Sequence, residues 1–437
     1  MKRNFFEPLE HECYNSAIEK DFPEELPLLQ EFRRVKISDK SFLKDVVVLF
    51  IQHHLCPFIG RLKVMQRDGM SPENSWFIDI PYSSNKEVIK KIKSDYTTHK
   101  YPNSFSNPLD NYSDIQLERV ISVIKRILKS NPGKLLVVDD GAYFIRALHN
   151  IFISDQSVAD KLYNKTYIVE QTTRGHRYLE SLKYSAIKEI INASIVSIAR
   201  TNTKLEIESP FIGIACKKAI EENEKILSLI NSRQKDGRKI NIAIIGFGAI
   251  GQSVFSSVKS MIKKPLQVDI VELDYDKWEE IRIEGGNPIS ELSNVKYDML
   301  FGCTGKKAFG WKDRNKVNNN GLLVSVSSAS VEFSRSNYIE FADLYPDDPI
   351  EITVSEPEKG IHSDLLFTDG KTQFYFTNSG FPVNFTGKKE CLPLKFIQPT
   401  HALLYAACYQ VLNNPVPGLH KLKEEYDYWI YYNAFNY

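Results

Sequence analysis

The run Lys239-Ile240-Asn241-Ile242-Ala243-Ile244-Ile245-Gly246-Phe247-Gly248-Ala249-Ile250-Gly251 constrains this chain more than any other stretch. A continuous apolar segment leads directly into Gly-x-Gly-x-x-Gly, a helical pattern follows from Gln252 to Lys263, and Gln267 to Leu273 reads as a second strand with Glu272 near its end. Strand, glycine turn, helix and acid-bearing strand together form the context of a dinucleotide site. Gly246 permits the tight turn, Gly248 lets the backbone approach a pyrophosphate, and Gly251 lets helix and strand pack closely. The first helical turn, with Ala249 and Ile250, offers free N–H groups and the positive end of the helix dipole. Glu272 is positioned for the ribose hydroxyls, and its charge would repel a 2′-phosphate. The expected cofactor is therefore NAD rather than NADP.

A chain of 437 residues supports two domains with substantial cores. A net charge of +1 gives no electrostatic reason to expect a nucleic-acid partner or an anionic membrane. No apolar run approaches the roughly 20 residues needed to span a bilayer, and the N-terminal Met1-Lys2-Arg3-Asn4-Phe5-Phe6-Glu7 does not read as a signal peptide. The six scattered cysteines, Cys13, Cys56, Cys216, Cys303, Cys391 and Cys408, lack a Cys-x-x-Cys pair and read as reduced thiols. These features point to a cytoplasmic protein without a structural metal.

Before the glycine fingerprint the chain already alternates between strand and helix. Asp45–Gln52, Trp76–Ile80, Lys134–Val138 and Thr166–Glu170 read as strands. Leu55–Gln66, Lys86–Ser94, Ile115–Ser130 and Tyr143–Ile151 read as helices, with a further helix around Cys13 to Lys20. Phe211 to Asn231 reads as one long helix into the second half, where Lys296–Gly302, Gly321–Val326 and Gln373–Thr377 are strands and Gln398–Leu412 is a helix. The expected fold is α/β with two parallel-sheet domains. Residues 1–214, completed by 386–437, form a substrate domain, and residues 215–385 form a Rossmann NAD-binding domain inserted before a short C-terminal return.

Several motifs, in order, resemble adenosylhomocysteinase: Asp139-Asp140-Gly141, Glu170-Gln171-Thr172-Thr173-Arg174-Gly175-His176, the glycine fingerprint with Glu272, and Cys303-Thr304-Gly305. Val331-Glu332-Phe333, Val383-Asn384 and Pro417-Gly418-Leu419-His420-Lys421-Leu422 continue the series, so the resemblance covers roughly residues 45–430. It implies a retained NAD that oxidises a nucleoside 3′-hydroxyl, acidifies the neighbouring C4′ proton and is regenerated at the end of the cycle. It further implies a homo-oligomer, with Thr172, Thr173 and Thr304 near the cofactor and Asn384 on the carboxamide. His53, Asp140 and Lys204 are the catalytic candidates.

Other positions depart from the family. Neutral Gln171 stands where the family has a catalytic carboxylate, and Ser209-Pro210 replaces an Asp-Asn pair, with Lys204 the available base. Leu55 and Pro57 replace adenine-recognising Thr and Glu. Ser325-Val326-Ser327-Ser328 and Glu390-Cys391-Leu392 replace two histidine-bearing segments. Each candidate also has a structural alternative. His53 competes with His54 and with a core role, Asp140 with a helix cap, Lys204 with a solvated lysine, and Tyr426 to Tyr437 with packing or a subunit contact. Two functions follow as expectations. One is an NAD-dependent enzyme acting on a nucleoside-like or sugar-alcohol substrate other than S-adenosylhomocysteine. The other is a catalytically inactive NAD-binding regulator or scaffold.

Overall fold

The computed structural model describes residues 3–17, 21–96, 106–155, 157–182, 191–262, 266–327, 329–333, 335–344 and 349–437. The chain divides into two compact units. One comprises residues 16–105, 112–208 and 387–437, and the other residues 1–15, 106–111 and 209–386.

The first unit is built on a wholly parallel six-stranded sheet: β1 (Val47–Gln52), β2 (Ser75–Asp79), β3 (Leu135–Asp139), β4 (Thr166–Glu170), β5 (Ser194–Ser197) and β14 (Gly418–Lys421), in the order β14-β5-β4-β3-β1-β2. β1 reads Val-Val-Leu-Phe-Ile-Gln and every residue in it is buried, the pattern of a central strand covered on both faces. The helix Leu394–Asn413 is buried along most of its length, including Leu403, Tyr405, Ala406 and Val411, because its sequence is apolar on nearly every face. It packs into a core with Phe32, Phe50, Phe58 and Phe77. Burial of each such side chain contributes roughly 1.5–3 kcal/mol. The C-terminal segment thus returns to the first sheet and adds its last strand beside β5.

The second unit carries an eight-stranded sheet in the order β11-β12-β13-β10-β9-β6-β7-β8. Its strands are β6 (Ile240–Ile245), β7 (Leu266–Val271), β8 (Asn287–Ile289), β9 (Tyr297–Gly302), β10 (Val317–Ser325), β11 (Glu351–Val354), β12 (Leu365–Thr368) and β13 (Gln373–Phe376). β8-β7-β6-β9-β10-β13 are parallel neighbours, and only β12 and its two pairings are antiparallel. That order reverses at β6/β9 and is the Rossmann-type order, so the α/β fold with two mainly parallel sheets is established by topology.

Two local readings need correction. The N-terminal helix is Arg3–Asn15 rather than a helix around Cys13 to Lys20, and residues 18–20 lie outside the described set. The long helix from Phe211 is two helices, Ser209–Glu221 and Glu224–Lys235. The break falls at Asn223, whose side chain accepts from the N–H groups of Lys225 and Ile226 and so starts a new helix. The helix after the fingerprint is Ala249–Met261, and Lys263 lies outside the described residues.

Candidate functional site

In the first unit the strand order reverses between β1 and β3, and the residues following those two strands meet there. His53 leaves β1 and Asp140 leaves β3, with Asp140 Oδ2 3.3 Å from His53 Nε2. Ligands of parallel α/β sheets bind outside the carboxyl ends of the strands at such a switch point. On its other side His53 Nδ1 lies 2.5 Å from Ser83 Oγ. The Ser83 hydroxyl donates to the Ile80 carbonyl at 2.9 Å, so its oxygen is left to accept from Nδ1–H. With Nδ1 engaged by Ser83, Nε2 is the ring nitrogen that faces Asp140.

The adjacent aspartates have separate duties. Asp139, not Asp140, takes the capping role: its carboxylate accepts from the N–H groups of Tyr143 (3.2 Å) and Phe144 (2.8 Å) at the start of the helix Tyr143–Ser154. Beside it, Glu170 accepts from Gly141 N–H, Ala142 N–H and both the N–H and hydroxyl of Thr172. Burial raises the Asp139 carboxyl to about 7 and the Glu170 carboxyl to about 8, each also feeling the other's charge or that of Asp140. His54 is distinct from its neighbour. It is fully buried, stacks on Phe58 at 4.7 Å, and is driven down to about 3 by desolvation, which makes it a neutral core histidine.

Thr172 caps the helix Thr173–Ser181 by accepting from Gly175 N–H while its own hydroxyl donates to Glu170; Thr173 is exposed. Lys204 lies in the π-helical turn Thr203–Glu208 and pairs with Glu208, which also accepts from the Thr400 hydroxyl. The carboxylate partner of Lys204 is therefore Glu208, the residue before Ser209-Pro210. Pro57 and Glu390 line a cavity of about 370 Å³ together with Phe22, Cys56 and Leu394. Burial pushes the Glu390 carboxyl up to about 7, although Cys391 donates to it through both N–H and Sγ–H, and His53 lies near enough to act on its charge.

In the second unit the fingerprint turn follows β6. Gly246 has φ +97°, which only glycine adopts without strain, and a side chain on Gly251 would lie 2.1 Å from the Gly246 carbonyl oxygen. Gly248, exposed at the start of the helix Ala249–Met261, has no described atom within 4 Å of where a Cβ would stand. The first-turn N–H groups at Ala249 and Ile250 have no partner within the helix. Across the turn, Glu272 accepts from Phe247 N–H at 2.9 Å and from Asp274 N–H at 3.0 Å. Burial alone would raise its carboxyl, but those N–H groups and Lys277 outweigh burial and hold it below the usual range. The turn and its acid thus have the fit a dinucleotide needs.

Thr304 follows β9, on the other side of this switch point. Its N–H and hydroxyl both bond buried Glu332. Asn384 is buried just after Val383, whose N–H donates to the Ser325 carbonyl at the end of β10. Ser328 lies outside the described residues. The Cys303 thiol is pushed well above its ordinary range by burial and by Glu332. Among the described residues no cluster of His, Cys, Asp and Glu could hold a metal, and no helix is long and apolar enough to cross a membrane.

No family model matches the chain. It is similar to uncharacterised proteins from two strains of Mycobacterium tuberculosis, each 23% identical over 379 residues, 84% of this chain. The chain spans 65% of the length of those relatives. Among solved structures, holo D-mandelate dehydrogenase from Rhodotorula graminis overlaps 69% of this chain and 78% of its own, at 9% identity and TM-score 0.32. Granulicella formate dehydrogenase overlaps 48% and 56% at 13% identity and TM-score 0.29. A dipicolinate synthase chain from Bacillus halodurans overlaps 44% and 59% at 13% identity and TM-score 0.26. None of these is an adenosylhomocysteinase, and overlaps this loose carry no argument about activity.

Sequence reasoning missed four groups. Ser83 and Glu208 carry no motif of their own, and Glu332 is read only as part of Val331-Glu332-Phe333, without its bonds to Thr304. Glu390 was seen only as a replaced residue, because its burial depends on the whole C-terminal return.

Proposed function

We propose that this protein binds NAD and uses it for redox chemistry on a nucleoside-like or sugar-alcohol substrate other than S-adenosylhomocysteine, in the manner of adenosylhomocysteinase. The observation that carries the reading is the Glu272 carboxylate bonded to Phe247 N–H across the Gly246–Gly251 turn, which leaves a diol-binding acid beside a phosphate-binding helix start. Gly246, Gly248, Ala249, Ile250 and Gly251 would carry the pyrophosphate and Glu272 the adenosine ribose. Thr304, Asn384, Thr172 and Thr173 remain candidates for the nicotinamide half. When bound, NAD supplies a hydride acceptor at its nicotinamide ring. His53 would take the hydroxyl proton of the alcohol being oxidised on Nε2, since Nδ1–H is held by Ser83, and Asp140, whose Oδ2 lies 3.3 Å from that same nitrogen, would stabilise the resulting imidazolium. Lys204 with Glu208 is the second proton-handling pair. A soluble cytoplasmic homo-oligomer is part of the same proposal.

The test is mass spectrometry of small molecules released from the purified protein, with fluorescence titration by NAD. Retained NAD, or saturable binding below about 1 mM, is expected. Absence of both would sink the reading. A non-catalytic NAD-binding regulator is the second reading, favoured by neutral Gln171 in place of a carboxylate. Transient absorbance of NADH on adding nucleosides or polyols would exclude it.

A further inference from the structure

Arg61 is only 1% exposed, and among the described residues it has no carboxylate partner. Its guanidinium lies 5.1 Å from the Phe58 ring centre and 5.9 Å from that of Phe50. Nε and Nη1 have no hydrogen-bond acceptor. The one bond it makes runs from Nη2 to Gln52 Oε1 at 2.7 Å, and Gln52 Nε2 in turn donates to Gln171 Oε1 at 2.9 Å.

This chain has a single permitted direction. Arginine carries donors only, so Gln52 must turn its oxygen inward and its amide nitrogen outward. Gln171 must then use its oxygen to accept from Gln52. Flipping Gln171 would set NH₂ against NH₂, and flipping Gln52 would set NH₂ against the guanidinium. Either leaves buried donors without acceptors, at a cost of about 1–3 kcal/mol each. Partly exposed Gln171 follows β4, its own N–H bonded to the Asp139 carbonyl beside Asp140. Its two side-chain N–H groups are what remains to face a ligand at the carboxyl edge of the sheet. Behind them lies the unneutralised charge of Arg61, which, with Lys204, bears on neighbouring His401.

We propose that Gln171 is a specificity-determining residue, locked by Arg61 and Gln52 as a hydrogen-bond donor, so that the substrate group facing it is an acceptor oxygen of a carboxylate or carbonyl. A carboxylate at this position would select the opposite polarity, a hydroxyl or ammonium donor. The inference rests on the reading of the His53–Asp140 edge as a substrate site.

Ribonate and ribitol, a sugar acid and its matched polyol, are suitable probes for calorimetric titration of the NAD-loaded protein. Wild type is expected to bind ribonate at least about tenfold more tightly than ribitol, and Gln171→Glu to reverse that order. Arg61→Met, which keeps the stem and removes the donors, should bring the ratio towards one; Gln171→Glu, at a partly exposed position, decides the matter if Arg61→Met does not fold. Ribitol binding as well as ribonate in wild type, an unchanged ratio in Gln171→Glu, or no binding of either probe would each overturn the assignment. NAD binding measured in the same samples reports separately on the proposed function. Failure there would count against that function, whereas a wrong ratio with NAD bound counts only against Gln171.

Discussion

Asp140 Oδ2 faces His53 Nε2 at 3.3 Å where the first sheet reverses its strand order, while neighbouring Asp139 is turned inward to cap a helix. Adjacent residues of one type therefore do opposite work, and substitution should separate them. Asp140→Asn and His53→Gln are expected to lower kcat by about 10²–10⁴-fold with NAD affinity and melting temperature little changed. Asp139→Asn should instead destabilise the fold, by roughly 0.5–2 kcal/mol for the lost cap. Steady-state kinetics and thermal melts on the three variants check the division. Equal kinetic loss in all three, with no melting difference, would refute it.

The buried acids below this edge give stability a definite dependence on pH. Asp139 and Glu170 are raised to about 7 and about 8 by burial, above their ordinary values near 3.9 and 4.3. Between those limits the folded chain holds more protons than the unfolded one, so stability falls as pH rises. The contribution is fully present below about pH 4 and is lost as pH climbs through the folded values, about 7 and about 8. Urea midpoints should therefore drop between pH 6 and pH 8. Glu170→Gln, which removes the titrating group and keeps one of the two oxygens that accept from the Gly141 and Ala142 N–H groups, should flatten that drop. A wild-type midpoint that rises over this range would contradict the assignment.

What could be read in the sequence depended on how locally each feature is determined. The β6 turn was legible because the positive φ of Gly246 and the close approach of Gly251 to the Gly246 carbonyl are local demands, and Glu272 directly follows the next strand. β1, β3 and β4 were legible as continuous apolar runs. β5 and β14 were not: Ser194–Ser197 and Gly418–Lys421 are four residues each and become strands only by pairing, β5 with β4 and β14 with β5. The candidate site divided in the same way. His53 and Asp140 end readable strands, whereas choosing His53 over His54 required knowing that His54 lies flat on Phe58. The direction of the Gln171 amide is a tertiary fact, set by an arginine on the helix after β1.

The three glycines of the fingerprint should fail differently. A methyl group on Gly251 would meet the Gly246 carbonyl oxygen at 2.1 Å, so Gly251→Ala should destabilise the second unit by roughly 1–3 kcal/mol and lose NAD binding with it. Gly248 has an ordinary φ of −79° and no described atom within reach of an added Cβ. Gly248→Ala is therefore expected to leave the melting temperature unchanged, within about 0.5 kcal/mol, yet weaken NAD binding at least about tenfold. The methyl group would occupy the line of approach of the pyrophosphate. Differential scanning calorimetry with and without NAD separates the two effects. Full NAD affinity in Gly248→Ala would show that no phosphate approaches this turn.

Glu272 supplies the sharpest test of which dinucleotide is bound. Its carboxylate is held ionised by Phe247 and Asp274 N–H groups and by Lys277, 3.7 Å away. An ionised acid accepts from both ribose hydroxyls and repels a phosphate in their place. Wild type should therefore prefer NAD to NADP. Glu272→Gln keeps an acceptor but removes the charge, so NAD affinity should fall modestly while NADP affinity rises. The ratio of the two dissociation constants is expected to move towards one, by a factor of about ten or more, since hydrogen bonds to charged groups contribute about 1.5–3 kcal/mol. Fluorescence titration with both dinucleotides reads that ratio directly. A wild-type preference for NADP would mean that the acid serves only to bind its own turn.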